Sequence, residues 1–317
     1  MNYVNDTSSG QLWDFKGKLD FVDEWFLMSS PVPMTAITVS YLLFVLKIGP
    51  ECMKSRPPFS LNNVIVLYNI VQVIVSSYLF YLTTRLMLPN GFVSKTCLLE
   101  KEETRHSLAN IMYYYFLAKL SEVLDTIFFV LRKKDNQVTF LHVYHHAIMI
   151  VLSWTILKYE PTYPTIFIRN INCFVHVIMY AYYGLSSFPS LAKYLWWKKY
   201  ITSLQLIQFM LILIHFVMTY TTSECVPSYT LCFVITFNAS LFLVLFGSFY
   251  LKTYLNKSNI KANSIKTDEN ETKFDKDEVK AGDKIRQIVN SRYETDNTSI
   301  DNESSFLHRK RLMSRSR

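Results

Sequence analysis

Long apolar runs separated by short charged segments dominate most of the chain. Seven of them approach the roughly 20 residues that a helix needs to cross a bilayer. They lie near 32–49, 64–84, 110–131, 139–157, 165–184, 200–220 and 229–251. Their length and continuity predict an all-α integral membrane protein with seven transmembrane helices. Residues 1–31 precede the first run and form an N-terminal segment; 32–251 form the membrane domain. Beyond about Asn256 the composition turns abruptly to Lys, Asp, Glu, Asn and Ser, so 252–317 is expected to be a disordered tail.

Composition supports this division. Of the 317 residues, 50% are hydrophobic and only 7 are Gly, a balance too apolar for an ordinary soluble domain. The net charge of +8 is unevenly spread. Lys54 and Arg56 follow the first run, Arg132 to Lys134 the third, and Lys193, Lys198 and Lys199 the fifth. The alternate loops carry mixed or acidic charge, so the positive-inside rule places the basic set in the cytosol. The N-terminus is then lumenal and the tail cytosolic. The acidic first 28 residues do not resemble a cleavable signal peptide. Asn5-Asp6-Thr7 is a glycosylation sequon on the expected lumenal side. Cys97 and Cys225 both fall in expected lumenal loops, where oxidation is allowed, and a disulfide between them is expected.

Polar residues inside the runs carry the functional signal, because each is costly in hydrocarbon. The third run holds Lys119, Glu122 and Asp125, spaced to share one helical face. The fourth opens with His142, His145 and His146. Asn172, His176, Tyr180 and Tyr183 form a stripe on the fifth. Asn69 and Gln72 on the second run, and Gln205 and Gln208 on the sixth, are each three residues apart. At 1.5 Å of rise per residue, four helices bring polar groups to one depth on the cytosolic side. A single pocket inside a helical bundle, open to the cytosol, is the expected consequence. Interhelical hydrogen bonding is the competing account, strongest for Asn69, Gln72 or a lone Tyr.

Clustered histidines suggest a metal first. The chain has 7 His in all, and only His142, His145, His146 and His176 share the expected pocket. That is too few for a membrane di-iron desaturase or hydroxylase shell, although a mononuclear zinc site remains open on residue types alone. The other route is metal-free, with imidazole as base, acid or nucleophile. A multi-span transporter with a polar core is a third possibility.

The motifs resemble those of the very-long-chain fatty acid elongases, the condensing enzymes of the endoplasmic reticulum. The resemblance runs from about Trp25 to Leu251. It includes Trp25-Phe-Leu-Met-Ser-Ser-Pro31, Arg56-Pro-Pro-Phe59 and Leu67-Tyr-Asn-Ile-Val-Gln72. Four boxes follow in order on successive runs: Lys119-Leu-Ser-Glu-Val-Leu-Asp-Thr126, His142-Val-Tyr-His-His146, His176-Val-Ile-Met-Tyr-Ala-Tyr-Tyr183 and Thr202-Ser-Leu-Gln-Leu-Ile-Gln208.

This resemblance implies a barrel of helices two to seven around an acyl tunnel, in the endoplasmic reticulum membrane. It implies that a long-chain acyl-CoA and malonyl-CoA condense to 3-oxoacyl-CoA, carbon dioxide and CoA. No metal or bound cofactor is implied. NADPH would serve a separate reductase, and the reductase and dehydratase enzymes of the cycle are expected partners. A homo- or hetero-dimer is expected from the family, and no nucleic acid. His145 would accept the acyl group as an acyl-imidazole, oriented and deprotonated by His142 and His146. His176 would hold the malonyl thioester. Glu122 and Asp125 would fix imidazole tautomers, with Lys119 balancing charge. Asn69, Gln72, Asn172, Tyr180, Tyr183, Gln205 and Gln208 would contact substrate. Lys193, Lys198 and Lys199 are candidates for the CoA phosphates.

Overall fold

The computed structural model describes residues 15–93, 99, 101–255, 280–289 and 292. They are helical, with no strand among the described residues. Contacts divide them into two units between Tyr250 and Leu251. In the second unit, residues 280–289 form a short helix with Ile285 and Ile288 exposed.

The first unit contains α1 (Pro31–Met53), α2 (Asn62–Asn90), α3 (Glu102–Glu122), α4 (Leu124–Leu131), α5 (Phe140–Tyr159), α6 (Pro164–Ser186), α7 (Lys198–Thr222) and α8 (Tyr229–Tyr250). Among the described residues, five helices are long and apolar enough to cross a membrane: α1, α2, α5, α7 and the run Tyr229–Tyr254. The architecture is that of an all-α membrane protein.

The third and fifth expected runs fall outside those five because their helices carry the polar stripes. The expected single helix over 110–131 is also divided: α3 ends at Glu122, Val123 makes a tighter turn, and α4 follows. Glu122 and Asp125 therefore lie on either side of a break rather than along one regular face.

Burial in α2 is inverted relative to a water-soluble helix. Asn69, Gln72, Ser76 and Thr83 are buried, whereas Leu67, Ile70 and Ile74 are exposed. A lipid-facing helix has that pattern, because hydrocarbon solvates the apolar side and polar groups must find partners inside.

α3 packs on α2 and α5, α6 on α2 and α7, and α8 on α7 and α5, while α1 packs on α5. Within α1, a π-helical turn at Phe44–Ile48 precedes Pro50, which has no N–H to continue the regular ladder. Here α1 crosses α4 so closely that a Cβ on Gly49 would meet Val130 Cγ1 at 2.7 Å.

The segment before α1 is fastened to the far end of α5. Lys158, fully buried, donates to Asp23 Oδ1 at 2.6 Å and to the Met28 carbonyl at 2.6 Å. Trp154 Nε1 donates to the Leu27 carbonyl at 2.8 Å.

Candidate active site

The site is assembled from α3 and α6 on one side and the start of α5 on the other. Lys119 Nζ donates to both Glu122 oxygens, at 2.8 and 3.0 Å. Glu122 Oε1 also lies 3.1 Å from His176 Nδ1. Lys119, Glu122 and His176 are 3%, 2% and 5% exposed, so the charges compensate one another without bulk water. With Nδ1–H donating to the carboxylate, the imidazole presents Nε2 as its basic nitrogen. One turn further along α6, Tyr180 donates to Asp125 Oδ2 at 2.8 Å. Ser121, between Lys119 and Glu122, accepts from Gln72 Nε2 at 2.9 Å, which ties α2 to this wall.

The second wall begins at a helix cap. Thr139 Oγ1 accepts from the His142 backbone N–H at 3.3 Å, starting α5 immediately before the histidine box. Spacing of four residues then brings the His142 ring edge-on to that of His146, and His145 sits edge-on beside it. His142 and His146 ring centroids are 4.4 Å apart, and His145 and His146 are 5.3 Å apart. Of these, His145 alone lines a cavity of about 80 Å³. Its ring meets Phe242 edge-on at 5.3 Å. The cavity continues past Met149 and Leu152 to Ile156, a rise of ~16 Å along α5. Phe209 and Ile212 from α7 close another side. The space is long, narrow in polarity and begins at an imidazole, a shape suited to an extended alkyl chain with its reactive end at His145.

Several expected site residues take other places. Asn69 Nδ2 bonds the Ile65 carbonyl of its own helix, at 2.7 Å. Gln205 Nε2 contacts Met179 Sδ at 3.7 Å, whereas Gln208 lines the cavity with its Oε1 unpartnered. Tyr183 is 38% exposed and packs on Tyr180 and Tyr182. Lys193, Lys198 and Lys199 are exposed, and Lys193 and Lys199 lie over the rings of Tyr194 and Tyr200. Asn5 and Cys97 lie outside the described residues; Cys225 is disulfide-bonded. Among the described residues no three His, Cys, Asp or Glu side chains converge to hold a metal ion.

The structure also adds members that the motifs did not mark. Tyr115 lines the cavity and donates to Asn172 Oδ1 at 2.9 Å. Its ring has Lys119 Nζ at 4.8 Å and the Arg169 guanidinium at 5.3 Å. Tyr144 donates to Asn238 Oδ1 on α8 at 2.9 Å. Arg169 was open to detection, since a charged residue inside an apolar run is itself a signal. Tyr115 and Asn238 carry no such mark.

Comparison with known proteins decides which family uses this arrangement. The ELO: GNS1/SUR4 family matches residues 26–262. The chain belongs to the ELO family. Its similarity to curated ELO relatives extends over most of both sequences. Mouse "Very long chain fatty acid elongase 2" is 41% identical over 234 residues, covering 74% of this chain and 80% of that protein. Human "Very long chain fatty acid elongase 4" is 38% identical over 262 residues, covering 82% and 83%. "Very long chain fatty acid elongase 5" of Tachysurus fulvidraco is 36% identical over 261 residues, covering 81% and 87%. The ELO match spans α1 to α8 and thus takes in both walls of the site.

Proposed function

We propose that this chain is the condensing enzyme of fatty acid elongation, a very-long-chain 3-oxoacyl-CoA synthase. It joins a long-chain acyl-CoA to malonyl-CoA, giving 3-oxoacyl-CoA, carbon dioxide and CoA. The observation that carries this reading, beside family membership, is that His145 stands at the head of an apolar cavity. Fatty acid elongation is the activity named for the relatives. The protein acts in the endoplasmic reticulum membrane with its N-terminus lumenal and its C-terminus cytosolic. Seven spans result when α3–α4 and α6 are counted with the five apolar helices, and the order of packing among α2 to α8 supports a barrel around the cavity.

In this reading the alkyl chain enters the cavity, where each buried methylene contributes ~0.8 kcal/mol. A His145 ring nitrogen attacks the thioester carbonyl; the carbon–sulfur bond breaks and CoA leaves as thiolate. His142 and His146 take up the imidazole proton and hold the ring. Malonyl-CoA then loses carbon dioxide, and its carbanion attacks the acyl-imidazole carbonyl. A carbon–carbon bond forms and the carbon–nitrogen bond to His145 breaks. His176, fixed by Glu122, polarises the malonyl thioester, and Gln208 donates to a developing oxyanion. No metal or bound cofactor takes part. The exposed lysines at 193, 198 and 199 hold the CoA phosphates, and separate reductase and dehydratase enzymes carry the product onward. A homo- or hetero-dimer is part of the same reading.

The test is condensation by membranes containing this chain, with labelled malonyl-CoA and a ladder of saturated and unsaturated acyl-CoAs. Parent protein should yield 3-oxo products and His145→Ala none. Withholding malonyl-CoA should trap an acyl adduct on His145, seen by mass. Turnover without any adduct would leave histidine as base only, and no product across the ladder would sink the enzymatic reading.

A further inference from the structure

Arg169 is the least explained charge in the membrane domain. It is 3% exposed, on α6, and its side chain lines the same cavity as His145. Its Nη1 donates to the Thr165 carbonyl of its own helix at 2.8 Å. Nε is buried without a partner. No ion pair among the described residues includes it, whereas the buried Lys119 and Lys158 each have a carboxylate. The Tyr115 ring offers only a cation–π contact, and Lys119 shares that ring. Beside it, Asn172 lines the same cavity and its oxygen accepts from Tyr115, so its amide N–H groups are the part of that side chain left to meet an acceptor. Donors are thus in surplus at one place on an otherwise apolar wall.

We propose that Arg169 and Asn172 form a subsite for an oxygen-bearing acyl chain. The ligand class is a long-chain acyl thioester with a hydrogen-bond-accepting oxygen far from its thioester, either a carboxylate or a hydroxyl. Arg169 lies ~10 Å along α6 from His176, so it meets the distal part of a bound chain and not the reacting carbonyl. A carboxylate there would satisfy the guanidinium in charge and, through Nε and its neighbouring N–H groups, in hydrogen bonds. A hydroxyl would satisfy the donors alone. An unmodified alkyl chain would satisfy neither and would lie against an unpaired buried charge.

This subsite rests on the cavity being the acyl channel of the proposed enzyme, so binding and turnover are read separately. The full-length protein, purified in detergent, is titrated with ω-carboxyacyl-CoAs, ω-hydroxyacyl-CoAs and unmodified acyl-CoAs of equal carbon number. Ligand-induced thermal stabilisation reports binding, and condensation is measured in parallel. The parent should prefer the oxygenated chains. Arg169→Met should lose about tenfold or more in affinity for the ω-carboxy probe, the equivalent of one or two charge-assisted hydrogen bonds. It should bind unmodified chains as well as the parent or better. Arg169→Lys should keep part of the carboxylate preference.

Removing a charge that has no carboxylate partner should also leave the unliganded protein equally or more stable. A marked fall in melting temperature for Arg169→Met would identify a structural arginine and overturn the subsite. Equal binding of all probes by the parent would overturn it, as would a uniform loss in the variant or binding of none. Condensation of plain chains without preference would keep the enzyme and remove the subsite. Selective binding without condensation would do the reverse.

Discussion

Glu122→Gln tests whether Lys119, Glu122 and His176 operate as one unit. The substitution keeps the shape of the side chain and removes its charge. Lys119 Nζ then loses the carboxylate at 2.8 and 3.0 Å while remaining 3% exposed. Leaving one member of a buried pair uncompensated costs ~3–5 kcal/mol. At roughly 2–4 °C per kcal/mol for a domain of this size, the melting temperature should fall by about 6–20 °C. Lys119→Met should cost a similar amount by stranding Glu122.

The double variant Lys119→Met/Glu122→Gln carries no stranded charge. Relative to the sum of the two single losses it should recover about 3 kcal/mol or more, so that it is no less stable than either single variant. Activity should not recover with it, because Glu122 also holds His176 through the 3.1 Å contact at Nδ1. Thermal unfolding in detergent, together with condensation of one acyl-CoA, separates these outcomes. Additive losses in stability would refute the pairing of the two charges. A double variant with parental turnover would refute the assignment of Glu122 as the group that orients His176.

Two further predictions concern the frame around the site. Gly49→Val places a side chain against Val130 and the Phe44 carbonyl, where even a Cβ lies at 2.7 Å; overpacking of this kind costs ~1–3 kcal/mol and should lower the melting temperature. Lys158→Met removes the ammonium that holds Asp23 and the Met28 carbonyl; with hydrogen bonds of charged groups worth ~1.5–3 kcal/mol each, the segment around Asp20–Asp23 should become open to protease well below the global transition. Unchanged cleavage there would show that the segment is held by its apolar contacts instead.

The long helices were legible wherever hydrophobicity was continuous. The apolar runs near 32–49, 64–84, 139–157, 200–220 and 229–251 each coincide with a helix able to span a bilayer. The break at Val123 was not legible, because no Gly or Pro marks it. The site residues were legible as types out of place: Lys119, Glu122, His145 and His176 are conspicuous because hydrocarbon penalises them. The same rule would have marked Arg169, which no motif contains. Tyr115 escaped notice because an aromatic residue in an apolar run is ordinary core material.

What the chain determined by itself was which segments enter the bilayer and which side chains there demand partners, since transfer free energies belong to single residues and short windows. Pairing belonged to the tertiary structure. Glu122 meets His176 and Asp125 meets Tyr180 across helices separated by more than 50 residues in sequence. Tyr144 and Asn238 are 94 residues apart. Hydrogen bonds reach only about 3 Å and depend on direction, so spacing along one helix states the face a group occupies but not its partner. The same limit explains why one imidazole of the box, His145, stands on the cavity while its neighbours pack behind it. The rotation of α5 relative to α7 and α8 decides that exposure, through contacts that do not exist until those helices are assembled.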